Sequence, residues 1–215
     1  MQTVYTRRDL QLPKDFSLCL FSVSKFRRQI LDNLHIHYFA SRAGINEKQI
    51  RDPDPKELTM KLAQAKMDVL VYILPYFQAV LKRSHHAHSI IVTADQVAWK
   101  NGKICEKPTT EEQCHAYLNS YCNSYVELYS AICVFNSDTE KRYTCCDVSR
   151  VEVVSYSPAN KKFADIPMSV QDYLIEKGDV FYSCGGITVE DPKLQQCITH
   201  IDEMDRVVLT AFFSV

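Results

Sequence analysis

Leu18-Cys19-Leu20-Phe21-Ser22-Val23-Ser24-Lys25-Phe26-Arg27-Arg28 is the stretch whose reading decides the fold. Four apolar residues, then small hydroxyl residues, then two guanidiniums read as a buried strand that ends in a loop and opens a helix. Such a junction leaves the first N–H groups of the helix without backbone partners. The helix dipole, the Ser22 and Ser24 hydroxyls and the Arg27 and Arg28 cations then favour an anion there, with phosphate the obvious candidate.

Working outward, residues 18–21 are expected as a first strand and residues 25–34 as a helix with Ile30, Leu31 and Leu34 on one face. Residues 36–40 read as a second strand, ending in a polar loop over 41–47. After Asp52-Pro53-Asp54-Pro55, spacing through Leu58, Leu62, Ala65, Val69 and Leu70 predicts a helix over 56–82 that Pro75 kinks or splits. Residues 89–94 read as a β-branched buried strand delivering Asp95 at its end. A helix capped by Thr109 or Thr110 is expected to about residue 119. Residues 125–135 and 142–154 alternate as two strands joined by Asn136-Ser137-Asp138. A helix over 167–176 follows, then Gly185-Gly186 and a strand-like run ending in Glu190. Helices interleaved with strands imply a mixed α/β, layered domain.

Composition bounds the function. With 215 residues, 46% of them hydrophobic, the chain can bury one sizeable core, expected over 16–215 behind a loose arm over 1–15. The net charge of −1 provides no broad basic field for a nucleic-acid backbone, so an anionic ligand must be met by a local cluster. The apolar-leaning stretch 67–81 is interrupted by Asp68, Pro75 and Gln78 and is too short to span a bilayer. The first 15 residues carry charges without an apolar run, so no leader is expected. Nine cysteines, an odd number with no C-x-x-C, read as small buried hydrophobes in a reducing, cytoplasmic setting. Cys145 and Cys146 are adjacent and should face opposite sides of a strand. His85, His86 and His88 read as a polar linker rather than a metal site.

Singly, the remaining polar residues are unremarkable. A strand-end Asp95 can cap a turn, Glu47 can be a solvated acid, a helical Lys66 can face water, and Lys107 can follow a hairpin. In order, however, the chain reads S-V-S-K-F-R-R (22–28), G-I-N-E (44–47), L-A-Q-A-K (62–66), T-A-D-Q-V (93–97), N-G-K-I-C-E-K-P (101–108) and C-G-G-I-T-V-E (184–190). This series closely resembles the Maf family of nucleoside-triphosphate pyrophosphatases, relatives of the inosine-triphosphatase superfamily, in both motif order and spacing.

The resemblance implies an elongated mixed sheet flanked by helices with a cleft between two lobes, and a homodimer. It implies hydrolysis between the α- and β-phosphates of a nucleoside triphosphate, giving a monophosphate and pyrophosphate. Asp95 falls at the proton-acceptor position. Ser22, Ser24, Arg27, Lys66 and Lys107 fall around the triphosphate, and Glu47 with Asp95 near a divalent metal such as Mg²⁺, Mn²⁺ or Co²⁺. The family divides at three positions, here Phe26, Gln96 and Glu190. The branch acting on UTP and dTTP usually carries Arg, Thr and Gln there, and the branch acting on 7-methyl-GTP carries Trp, Gln and Glu.

Chemistry favours the second branch independently. A 7-methylated guanine is positively charged, so an aromatic face attracts it by stacking and cation–π interaction, and a carboxylate accepts from its N1–H and N2–H edge. A UTP/dTTP pyrophosphatase and a non-catalytic nucleotide-binding protein are the alternatives. Two departures stand out. Asn46 replaces an acid that usually precedes Glu47, and Asp191-Pro192 replaces further glycines after Glu190.

Overall fold

The computed structural model describes residues 16–82, 88–153, 155–156, 163–164 and 166–201. The chain is a mixed α/β protein of two compact units, and three of its strands contribute to both. Among the described residues, the first unit comprises 16–95 and 131–146, the second 96–130 and 147–201. Strands β1 (Phe16–Phe21), β2 (Tyr38–Ser41), β3 (His88–Lys100), β5 (Ser124–Asn136), β6 (Arg142–Val153) and β9 (Ile198–Ile201) form one sheet in the order β2-β1-β3-β5-β6-β9. Strand β4 (Lys103–Cys105) pairs antiparallel with β3 as the seventh strand. Strands β7 (Ser155–Tyr156) and β8 (Phe163–Ala164) make a separate pair.

In the first unit β1 lies parallel to both β2 and β3, with Leu20 opposite Ala40 on one side and Val92 on the other. Parallel strands are covered on both faces, which is why 18–21 is continuously apolar rather than alternating. Leu18 and Leu20 pack with Ile90, Val92, Ile132, Val134 and Leu31 of helix α1 (Lys25–Asn33). On the opposite face Cys19 and Phe21 pack with Ile91, Cys133, Phe135 and with Ala63, Met67 and Leu70 of helix α2 (Pro55–Lys82). Cys145 and Cys146 join these two clusters separately, so they do face opposite sides of β6.

The second unit packs helices α3 (Glu111–Tyr121) and α4 (Met168–Lys177) with Ala98, Val126, Leu128, Val151, Val180 and Leu194. Thr110 Oγ1 accepts the Gln113 N–H at 3.2 Å, while Gln113 Oε1 accepts the Thr109 N–H at 2.9 Å. Two otherwise orphaned donors are thereby satisfied. A one-turn helix α5 (Pro192–Gln195) precedes β9. Six of the nine cysteines are buried, and none is disulfide-bonded. Among the described residues, no helix is long and apolar enough to cross a membrane.

Several expectations are corrected. Asp95 does not end its strand: β3 continues five residues further, to Lys100, because Val97 and Ala98 are buried in the second unit. Pro75 does not split helix α2, whose helical backbone runs from Pro55 to Lys82. Of the apolar residues expected on one face of α1, only Leu31 is buried, and Ile30 is exposed. Residues 187–190 form no strand; a turn carries Glu190 instead, its geometry set by the two positive-φ glycines before it and by Asp191 after it. His88 is the first residue of β3 and pairs with Asp138, whereas His85, His86, the 1–15 arm and the chain after 201 lie outside the described residues.

Candidate active site

The loop after β1 is organised around Ser22. Its hydroxyl oxygen accepts from the Ser24 N–H at 3.2 Å and from Arg27 Nη1 at 3.3 Å. Both acceptor positions are thereby used, leaving that hydroxyl to act only as a donor. Ser24 caps α1, its Oγ accepting the Arg27 N–H at 3.4 Å. Arg27 Nη1 also donates to the Ala94 carbonyl at 3.1 Å, which brings the start of α1 onto β3 next to Asp95. Arg28 donates twice to the Ser22 carbonyl, at 3.1 and 3.3 Å. Arg28 therefore braces the loop backbone through a carbonyl oxygen.

Lys66 is the pivot of the site. The buried stripe of α2 runs Leu58, Thr59, Leu62, Ala63, Lys66, Met67, Leu70, so helical periodicity carries a lysine inward among core residues. Lysine is almost never buried without partners. Here Nζ donates to Asp95 Oδ1 at 2.6 Å and to the Ala94 carbonyl at 3.5 Å, and it forms an ion pair with Glu47 Oε1 at 2.9 Å. Thr93 Oγ1 donates to the Ala63 carbonyl at 2.7 Å and fastens this turn of α2 onto β3. Glu47 stands on a single 3-10 turn, Glu47–Gln49, and is half-exposed.

Burial pushes the Asp95 carboxyl above its ordinary range, against the opposing pull of Lys66 and Arg27, while Glu47 adds to the rise. A buried carboxylate made more basic, with only Oδ1 bonded among the described residues, is equipped to accept a proton at Oδ2. Asp95 and Glu47 converge on one point, held there by Lys66. Among the described residues no trio of acidic, His or Cys side chains could alone hold a metal. Two carboxylates do suit a hard divalent cation completed by phosphate oxygens and water.

The remaining residues belong to the second unit. Gln96 Nε2 donates to Ser130 Oγ at 2.9 Å and its Oε1 accepts a long contact from the Cys184 thiol at 3.5 Å, so its amide is oriented from both ends. Motifs 101–108 and 184–190 meet in this unit. The Gly185 N–H donates to the Glu106 carbonyl at 3.0 Å, and Gly186 lies against the ring of Pro108. Lys107 is exposed between those two anchored neighbours, and Glu190 is exposed on its turn. Phe26 lies in the first unit, with the Lys25 ammonium 5.1 Å from its ring centre. The sequence reading missed Thr93, whose place after an apolar run resembles any strand position. It also missed Asp191, taken only as a departure from pattern.

Residues 17–209 match the family described as Maf-like protein. The 7-methyl-GTP pyrophosphatase of Dictyostelium discoideum is 35% identical over 173 residues, 80% of this chain and 81% of that protein. The 7-methyl-GTP pyrophosphatase of Idiomarina loihiensis is 36% identical over 135 residues, 63% of this chain and 61% of that protein. That of Alcanivorax borkumensis is 27% identical over 151 residues, 70% and 71% of the two chains. With nearly the whole length matched, the chain belongs to the Maf family.

Proposed function

We propose that the chain is a nucleoside triphosphate pyrophosphatase that hydrolyses the α–β phosphoanhydride, with 7-methyl-GTP as the favoured substrate. The observation that carries this reading is the buried, base-shifted Asp95 bonded to Lys66 beside a phosphate-type strand–loop–helix junction. Water attacks the α-phosphorus and gives its proton to Asp95; the α–β bond breaks, and pyrophosphate leaves with the bridging oxygen. Negative charge grows on that oxygen and on the α-phosphoryl group. Arg27, Lys66 and the Ser22 hydroxyl serve this charge. Reorienting Lys66 toward phosphate loosens its hold on Asp95 and leaves the carboxylate more basic at the moment it is needed. Glu47 and Asp95 would hold a divalent cation, which would supply further neutralisation and lower the pKa of the attacking water. Phe26 stacks on the cationic base, Glu190 accepts from its N1–H and N2–H edge, and Gln96 contributes an oriented amide.

The names of the relatives support this substrate. The test is pyrophosphate release from 7-methyl-GTP, GTP, UTP and dTTP with Mg²⁺, Mn²⁺ or Co²⁺, with Asp95→Asn run beside the parent. Release from 7-methyl-GTP that the variant loses is the expected result. Release from pyrimidine nucleotides alone overturns the base assignment. Nucleotide binding without release under any metal overturns catalysis.

A further inference from the structure

Asp191 is 4% exposed. A buried carboxylate is costly unless every lone pair is answered. Here Oδ2 accepts from Lys177 Nζ at 2.6 Å, and Oδ1 accepts from the Lys193 and Leu194 N–H groups at 2.9 and 3.4 Å. The Asp191 N–H donates to the Thr188 carbonyl at 2.9 Å, and its carbonyl accepts from the Gln195 N–H at 2.8 Å. All its polar atoms are thus committed, tying the turn to the last turn of α4 and to the start of α5. Upstream of Glu190, Ile187 and Thr188 are buried, and Gly185 is bonded to Glu106. Glu190 itself is exposed, one residue before the anchored aspartate.

We infer that Asp191 and Lys177 are positioning residues for substrate selection, fixing the backbone from which Glu190 presents its carboxylate to the base. The inference rests on the reading of Glu190 given above. A two-hydrogen-bond edge contact is sensitive to displacements well under an ångström, so an unanchored turn keeps the carboxylate and loses its aim. Lys177 is supported in turn by Asp179 at 3.6 Å, and Lys193 lies over the Tyr173 ring at 3.6 Å, which closes the ties around α4.

The experiment measures kcat and KM for 7-methyl-GTP and UTP in the full chain carrying Glu190→Gln, Asp191→Ala, Lys177→Met, Leu194→Ala, and Glu190→Gln with Asp191→Ala. Glu190→Gln should lower the preference for 7-methyl-GTP about tenfold, the size of one good edge contact. Asp191→Ala and Lys177→Met should lower it by a similar factor through KM, with kcat for 7-methyl-GTP changing less than about twofold. Added to Glu190→Gln, Asp191→Ala should lower preference no further, because the two act through one contact. Leu194→Ala, which removes buried packing from α5 and leaves every tie to Asp191 in place, should lower the melting temperature without altering preference. Lys177→Met is the half-exposed alternative should Asp191→Ala not fold. If Glu190→Gln leaves preference unchanged, the base-edge reading fails and this inference with it. If Glu190→Gln acts but Asp191→Ala and Lys177→Met do not, or if Leu194→Ala matches them, the positioning role alone is overturned.

Discussion

Replacing Gly185 with alanine tests whether the joint between the 101–108 and 184–190 motifs is as tight as its geometry implies. Gly185 sits at φ +64°, where a side chain costs about 1–2 kcal/mol. An added Cβ would lie 2.5 Å from the Tyr121 hydroxyl and 2.8 Å from the Ala98 Cβ. Neither neighbour can step aside, because both are wholly buried and Ala98 Cβ is attached directly to strand β3. Overpacking of this kind costs about 1–3 kcal/mol. The 2.8 Å bond from the Tyr121 hydroxyl to the Gly185 carbonyl is also displaced, worth about 1 kcal/mol. Together these give about 3–6 kcal/mol. Gly178→Ala is the comparison, since it has φ +83° and nothing within 4 Å, and should cost only the backbone component of about 1–2 kcal/mol. Urea unfolding followed by the fluorescence of Trp99, the single tryptophan and the neighbour of Ala98, reads both in the unit concerned. The Glu106 carbonyl bonded to Gly185 lies one residue before Lys107, so pyrophosphate release should fall as well. Equal midpoint shifts for the two variants would refute the packing argument.

On the proposed mechanism Asp95 must be ionised to accept a proton, and burial holds it protonated further up the pH scale than an exposed aspartate. The acidic limb of kcat/KM should therefore stand above the ordinary carboxylate value of about 4, rising with pH through it, and Lys66→Met should move that limb higher still. A limb unmoved by loss of the ammonium would count against Asp95 as the titrating base. Lys66→Met also strands Asp95 beside the core, a loss of up to about 3–5 kcal/mol at neutral pH that should shrink in acid, where Asp95 protonates. Adding Asp95→Asn should restore most of the stability in thermal unfolding; no recovery would mean that Lys66 contributes through packing alone.

Much of the first unit was legible because its signals are local. The apolar run before Ser22, the capping serine and the two arginines each act within a few residues, and the structure keeps that order. Lys66 was legible by motif alone: the periodicity was read through Ala65 and Val69, which point half out to water, whereas the buried stripe runs Leu58, Leu62, Lys66, Leu70. The 184–190 turn was harder to read. Its path depends on Tyr121, Glu106 and Lys177, each distant in sequence, and alternation of Ile187 with Val189 mimics a strand that these contacts forbid.

Asp95 shows why local reading stopped one step short. A carboxylate after six buried residues looks like the end of a strand, because ending the strand is the cheapest way to reach water. The chain instead continues β3 through Val97 and Ala98 and answers the charge from another element, with an ammonium from the buried face of α2. That choice fixes Asp95 on a rigid strand rather than on a loop tip, and it keeps the carboxylate in surroundings that raise its basicity. The same feature that misleads a strand-boundary argument is therefore what an efficient proton acceptor requires. An aspartate at an exposed strand end would titrate near the ordinary value and make a weak base at neutral pH.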